Sequence, residues 1–123
     1  MPGFGPWTAK AGWVAVQPPV EVLENTVTMR LHLDDCDATN GALKVILGSH
    51  WRGVVPAETI AGHTATAAVC AVPAGGVMLM KPLLLHASSC SSSNRPRRVI
   101  HLEFLAQELP AGLAWRERRA WRS

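Results

Sequence analysis

The chain has 123 residues, of which 48% are hydrophobic and 17% charged, a composition that suits one folded globular domain and excludes a disordered or fibrous chain. No apolar run approaches the ~20 residues needed to span a bilayer, and residues 1–7 lack the basic start and apolar stretch of a signal peptide, so a cytoplasmic protein with no membrane partner is expected. The formal net charge of +3 excludes little: Arg116, Arg118, Arg119 and Arg122 against Glu117 account for all of it, so it describes a basic tail rather than a nucleic-acid-binding face, and no nucleic-acid partner is expected. Residues 1–20, rich in Pro, Gly and Trp, predict irregular chain with one short strand at 13–17. From residue 24 the pattern turns to period two: Val27, Met29, Leu31 and Leu33 lie on one face, with Thr28, Arg30, His32 and Asp34 on the other. This predicts a half-buried strand with a polar second face. Asn40-Gly41 then marks a turn. Residues 42–47 predict a second alternating strand that stops at Gly48-Ser49-His50. Residues 56–64 predict a loop or short helical turn, 65–72 a strand, 73–76 a turn and 77–86 an apolar strand. A serine-rich loop over 88–94 leads to a last strand at 97–105, and 112–122 suits a loose helix. Short strands at regular spacing with turns between them indicate a sandwich or jelly roll.

The cysteines add little. Cys36, Cys70 and Cys90 are odd in number and have no C-x-x-C spacing, so neither a disulfide framework nor a zinc knuckle is indicated, and reduced thiols are expected.

The sharpest local pattern for chemistry is His32-Leu33-Asp34. Residues i and i+2 of a strand share a face, so this pair delivers one imidazole and one carboxylate to the same point. A later histidine would complete a two-histidine, one-carboxylate iron site with open positions, and His86, after an apolar strand, is a natural third ligand. Such a site also wants a cation to grip a dicarboxylate, for which arginine is suited; Arg97 begins the next strand. A solvated strand face explains His32 and Asp34 equally well without metal, and His86 also reads as a core histidine. His50 and His63 read as loop residues, and His101 as cavity lining or surface. Of Arg97 and Arg98, one is expected to point inward and one outward.

The stretch Asn40-Gly41-Ala42-Leu43-Lys44-Val45-Ile46-Leu47-Gly48-Ser49-His50 resembles the N-G-x-L-x-V-x-P-G-S-H signature of the phytanoyl-CoA dioxygenase family. A second stretch, Pro82-Leu83-Leu84-Leu85-His86-Ala87-Ser88 followed by Asn94 and Arg97, is similar to the family's distal H-x-S segment, with its arginine eleven residues after the histidine. The resemblance covers about residues 20–106. It implies a mainly β, double-stranded β-helix (a jelly roll, cupin-like), with residues 1–106 as the later part of that domain and 107–123 as a basic tail of possible helical character. It also implies a non-haem iron dioxygenase, an oxidoreductase that uses Fe(II) and 2-oxoglutarate to hydroxylate a small-molecule substrate such as an acyl-CoA or an acid. His86 then matches the distal iron-binding histidine, Arg97 the arginine for the far carboxylate of 2-oxoglutarate, and Ser88 the hydroxyl that assists it.

Two departures from the family pattern carry consequences. Leu47 stands where proline is usual. More seriously, the family's metal-binding H-x-D lies on an earlier strand than the one leading into N-G-x-L. In the register set by the two matched segments it would fall upstream of Met1, and His32 and Asp34 would not be ligands. The expectation is therefore a jelly roll incomplete at its N-terminal side, without the metal-binding H-x-D and of doubtful activity by itself. Its exposed sheet edges would favour a homodimer or other self-association. Two alternatives stay open: a complete miniature oxygenase using His32, Asp34 and His86, and a non-catalytic β-sandwich binding module.

Overall fold

The structure, a computed structural model, describes residues 3–110 and 112–118, apart from the side chains of Lys10 and His63. It opens with a hairpin of β1 (Trp7–Lys10) and β2 (Trp13–Val16), paired Trp7 to Val16. Composition predicted only the second of these strands. The turn between them is made by Ala11 and Gly12, both at positive φ, a backbone that glycine adopts freely and alanine rarely. A one-turn helix, α1 (Val20–Glu24), follows Pro19, whose ring suits the start of a helix. Thr26, two residues beyond it, returns its hydroxyl to Val22 O at 2.8 Å.

Two three-stranded antiparallel sheets form the body, a mainly β, jelly-roll arrangement. The first places β3 (Thr26–His32) between β6 (Val77–Met80) and β8 (Val99–Leu105). The second places β4 (Leu43–Val45) between β5 (Ala68–Val69) and β7 (His86–Ser88). β3 runs the full length of β8, from Thr26 opposite Leu105 to His32 opposite Val99. Between β4 and β5 lie a 3-10 turn at Ser49–Arg52, a short helix α2 (Ala57–Ile60) and a further 3-10 turn at Ala61–Thr66.

The alternation of β3 was legible, but its sense is the reverse of a buried apolar face. Thr26, Thr28 and His32 are buried and Arg30 half-buried, whereas Val27, Met29 and Leu31 occupy the other face. The cross-strand neighbours of that apolar face, Val77, Leu79, Ile100, Leu102 and Phe104, are all exposed. The polar face is the inner one. In the second sheet Leu43 and Val45 are buried and Lys44 exposed, so the face of β4 carrying Leu43 and Val45 is its inner face.

Three other elements differ from expectation. The strand expected over 65–72 is cut to two residues: its start is taken by the 3-10 turn Ala61–Thr66, with Thr64 Oγ1 donating to Ala61 O at 3.0 Å, and at its end Val72 forms only an isolated bridge with Cys36. The apolar run 77–86 is not one strand: Pro82 lacks the N–H a ladder needs, and the chain turns there, with Leu84 N–H on Lys81 O, before restarting as β7. The helix expected over 112–122 is absent from the described residues 112–118, and its remainder lies outside them. In that tail the Arg116 guanidinium sits over the Trp13 ring, 5.2 Å from its centroid. No helix among the described residues is long and apolar enough to cross a membrane.

Candidate functional site

The turn at Asn40-Gly41 organises the site. Asp37 starts a 3-10 turn, Ala38–Asn40, by accepting from Thr39 N–H and Thr39 Oγ1 at 2.8 and 2.7 Å. Asn40 answers it, its Oδ1 accepting from Asp37 N–H at 2.8 Å, so each caps the other. Asn40 is almost wholly buried, and its Nδ2 donates to Asp35 O at 2.8 Å and to Pro96 O at 3.3 Å. The second of these bonds ties the residue before Arg97 to the turn, across 56 positions of chain. Two further ties run the same way. Arg95 Nη2 pairs with Asp37 Oδ2 at 2.6 Å, and Ser92 N–H donates to Thr39 O at 2.8 Å. The hydrogen bonds from Thr39, then that from Arg95, hold the Asp37 carboxyl well below the usual carboxylate range.

Gly41 follows at φ 82°, a left-handed conformation. A Cβ here would lie 2.7 Å from Ser89 O and 3.6 Å from Arg97 Cζ, so the residue makes room for both. Arg97 Nη1 donates to Gly41 O. Arg97 is thereby held against the N-G turn by backbone, and no carboxylate pairs with it among the described residues. Arg98 points elsewhere: its guanidinium pairs with Asp34, Nη2 to Oδ1 at 2.7 Å. One arginine thus serves the turn and the other the surface.

His86 and Ser88 enter from β7. They lie opposite Val45 and Leu43, and directly opposed residues share a face, so both stand on the side of the second sheet that carries those two residues, although every residue of β7 is itself exposed. His86 Nδ1 is 2.6 Å from Leu84 O. With Nδ1 donating to that carbonyl, Nε2 keeps its lone pair, the arrangement that orients a metal-binding imidazole. Ser49 sets the approach to β7: it is fully buried, and its Oγ accepts from Leu85 N–H at 2.8 Å.

His32 and Asp34 do not join His86 in a ligand set. Among the described residues no group of three or more His, Cys, Asp and Glu side chains could hold a metal ion. Asp34 is occupied by Arg98, and His32 is enclosed at 3% exposure with neither ring nitrogen hydrogen-bonded. Burial, then Arg30 and Arg97, push the His32 pKa down, which favours the neutral ring. His50 stacks at a tilt on Trp51, with ring centroids 4.7 Å apart, and His101 lies 3.6 Å from Glu103.

Arg30 is the residue that sequence reasoning passed over. It was grouped with a polar strand face, yet it lies on the inner face, two positions from His32. Its Nε is buried without a partner, and burial followed by Arg97 lowers its pKa. The signal that could have found it is the company it keeps: Thr, Thr, Arg and His at alternate positions of a strand whose other face is wholly apolar.

A family model described as phytanoyl-CoA dioxygenase matches residues 6–99. The fold is similar to that in the crystal structure of EvdMO1, with a TM-score of 0.63 and 22% sequence identity, covering 85% of this chain and 24% of that one. The chain thus spans about a quarter of the length of that protein. No curated protein matches the sequence.

Proposed function

Because the chain belongs to the phytanoyl-CoA dioxygenase family, a family of iron- and 2-oxoglutarate-dependent oxygenases, we propose that it carries the part of such a dioxygenase that anchors the 2-oxoglutarate co-substrate. Arg97 is the anchor for the far carboxylate, since an arginine fork pairs two donors with two carboxylate oxygens. Ser88 of β7, opposite Leu43, adds a hydroxyl. The observation that carries this reading is the state of Arg97, held beside the Asn40-Gly41 turn through Gly41 O and lacking any carboxylate partner among the described residues.

The iron is a different matter. His86 fits one ligand position, with Nδ1 on Leu84 O and Nε2 left for a metal. Asp34 and His32 do not complete the set, and one imidazole alone does not hold Fe(II) against water. The described residues therefore do not fit a resident iron, and no oxidative step is assigned to this chain by itself. In an intact centre the iron would supply the oxidising chemistry and the protein the orientation and exclusion of water. The substrate to be hydroxylated, an acyl-CoA or acid among the family's substrates, is left to the segments that would complete that centre.

Calorimetric titration with 2-oxoglutarate tests the reading. Binding is expected for the unaltered chain, weakened about 10- to 100-fold in Arg97→Ala, as loss of a charge-assisted pair of ~1.5–3 kcal/mol implies, and less in Ser88→Ala. Equal affinity in Arg97→Ala, with the variant still folded, would overturn it. Tight Fe(II) binding abolished by His32→Ala would instead establish the miniature oxygenase.

A further inference from the structure

The inner face of the first sheet concentrates positive charge in a way that the anchoring of one carboxylate leaves unexplained. Arg30 and His32 share that face of β3, and Val99 and His101 stand opposite them on β8. Arg97 lies two residues before the start of β8, and its charge acts on both Arg30 and His32. Along the strand direction Arg97 is four residues from the position opposite Arg30, roughly 13 Å at ~3.3 Å per residue. The His32–Val99 pair sits midway. Two long cationic side chains thus flank one buried imidazole, one from each end.

None of the three is satisfied by the protein's own acids. Both His32 ring nitrogens and Arg30 Nε are buried without partners. Neither Arg30 nor Arg97 makes an ion pair among the described residues; of the acids on this face, Asp34 is paired with Arg98, and Glu103 stands opposite Thr28, 3.6 Å from His101. Buried polar groups left unpaired cost on the order of 1–3 kcal/mol each, and like charges facing one interior add to that. A ligand that brings two separated negative groups supplies acceptors for both guanidinium groups and for one nitrogen of the His32 ring.

We propose that Arg30, His32 and Arg97 form a metal-independent site for a short dicarboxylate, one carboxylate at each guanidinium and the chain of the ligand across His32. The proposal rests on the reading of Arg97 given above and extends it: Arg30 is a second anchor, at the end of the ligand that an intact iron centre would otherwise hold. His32 is a hydrogen-bonding residue of this site and not a metal ligand. A single carboxylate satisfies one arginine only, so the site discriminates by the number of charges.

The test is titration with glutarate, 2-oxoglutarate and butyrate in the presence of a chelator, read by calorimetry and by the NMR shift of the His32 ring. Glutarate and 2-oxoglutarate should bind at least 10-fold more tightly than butyrate and should shift His32. Arg30→Met, which keeps the apolar stem, should abolish the preference, and Arg30→Lys should keep part of it. An unchanged preference for dicarboxylates in Arg30→Met, or a His32 resonance unmoved by saturating glutarate in the unaltered chain, overturns the proposal. If 2-oxoglutarate binds only with Fe(II), depending on Arg97 and not on Arg30, the second anchor is refuted and the co-substrate reading stands. If a folded chain binds none of these anions with or without Fe(II), both fall.

Discussion

Arg98 holds Asp34 with three donors: its backbone N–H and its Nε reach Oδ2 at 2.7 and 2.9 Å, and its Nη2 reaches Oδ1 at 2.7 Å. The two residues are 64 positions apart in the chain. The pair clamps the end of β3 to the start of β8, next to where Leu33 N–H donates to Arg98 O. It also commits the carboxylate of the His-x-Asp pattern to an arginine.

The clamp has an acid limit. The Arg98 side chain first, and then its backbone N–H, lower the Asp34 pKa to about 2, against ~3.9 for an unperturbed aspartate. A carboxylate depressed on folding contributes stability above its unfolded value, and that contribution is lost as the pH falls toward the folded one. Asp34→Asn should therefore lower the urea midpoint at pH 7, with the difference from the unaltered chain closing between about pH 4 and pH 2. A gap that persists undiminished at pH 2 would mean that the ionised carboxylate is not what stabilises the clamp.

His32 has the opposite chemistry and should show it nearer neutrality. Its pKa is lowered by burial and by Arg30 and Arg97, so below the ordinary histidine value, ~6.5, the unfolded chain takes up a proton that the folded chain resists. Stability is fully present above that pH and declines as the pH falls through it. His32→Leu should flatten this slope and leave stability at pH 7 unchanged or higher by up to ~1 kcal/mol, because an apolar side chain has no unpaired nitrogens to bury. The same variant should bind dicarboxylates more weakly. A large loss of stability at pH 7 would show that the ring has partners that matter.

Gly41→Ala puts a Cβ against Ser89 O in a left-handed backbone. The expected cost is on the order of 1–3 kcal/mol, read by denaturant unfolding. Because Arg97 donates to Gly41 O, 2-oxoglutarate affinity should fall as well, even under conditions where the variant is fully folded. Retained affinity would separate the turn from the anchoring of Arg97.

Asn40→Ala removes three hydrogen bonds at once and leaves Asp37 N–H, Asp35 O and Pro96 O without their side-chain partner. A loss of about 1–3 kcal/mol follows from the cost of unpaired buried groups. Hydrogen exchange should quicken at 37–40 and 95–98 together, since one amide joins the two segments. Faster exchange confined to 37–40 would show that the Pro96 contact carries no weight.

Much of the local structure was legible because it depends on near neighbours. The alternation from Val27 to Leu33 specifies a strand, Asn40-Gly41 specifies a turn with a left-handed glycine, and the order of the two matched segments specifies the family to which the chain belongs. The short elements were less legible. An alanine-rich run such as 65–72 satisfies a strand pattern and a 3-10 turn equally well, and the backbone hydrogen bonds around Thr64 and Ala67 select between them.

The sequence alone determined that β3 has two chemically distinct faces; it did not determine which of them is inside. Period two separates Thr28, Arg30 and His32 from Val27, Met29 and Leu31 but is silent on direction, and burial of the apolar face is only the commoner outcome. In the tertiary structure the outcome is reversed: Thr26, Thr28 and His32 are the buried residues of β3, and the exposed residues opposite its apolar face leave that face outside. The fate of Asp34 was decided at the same level. A carboxylate beside a histidine in sequence is available to a metal only if nothing else pairs with it, and Arg98, distant in the chain and adjacent in the sheet, does.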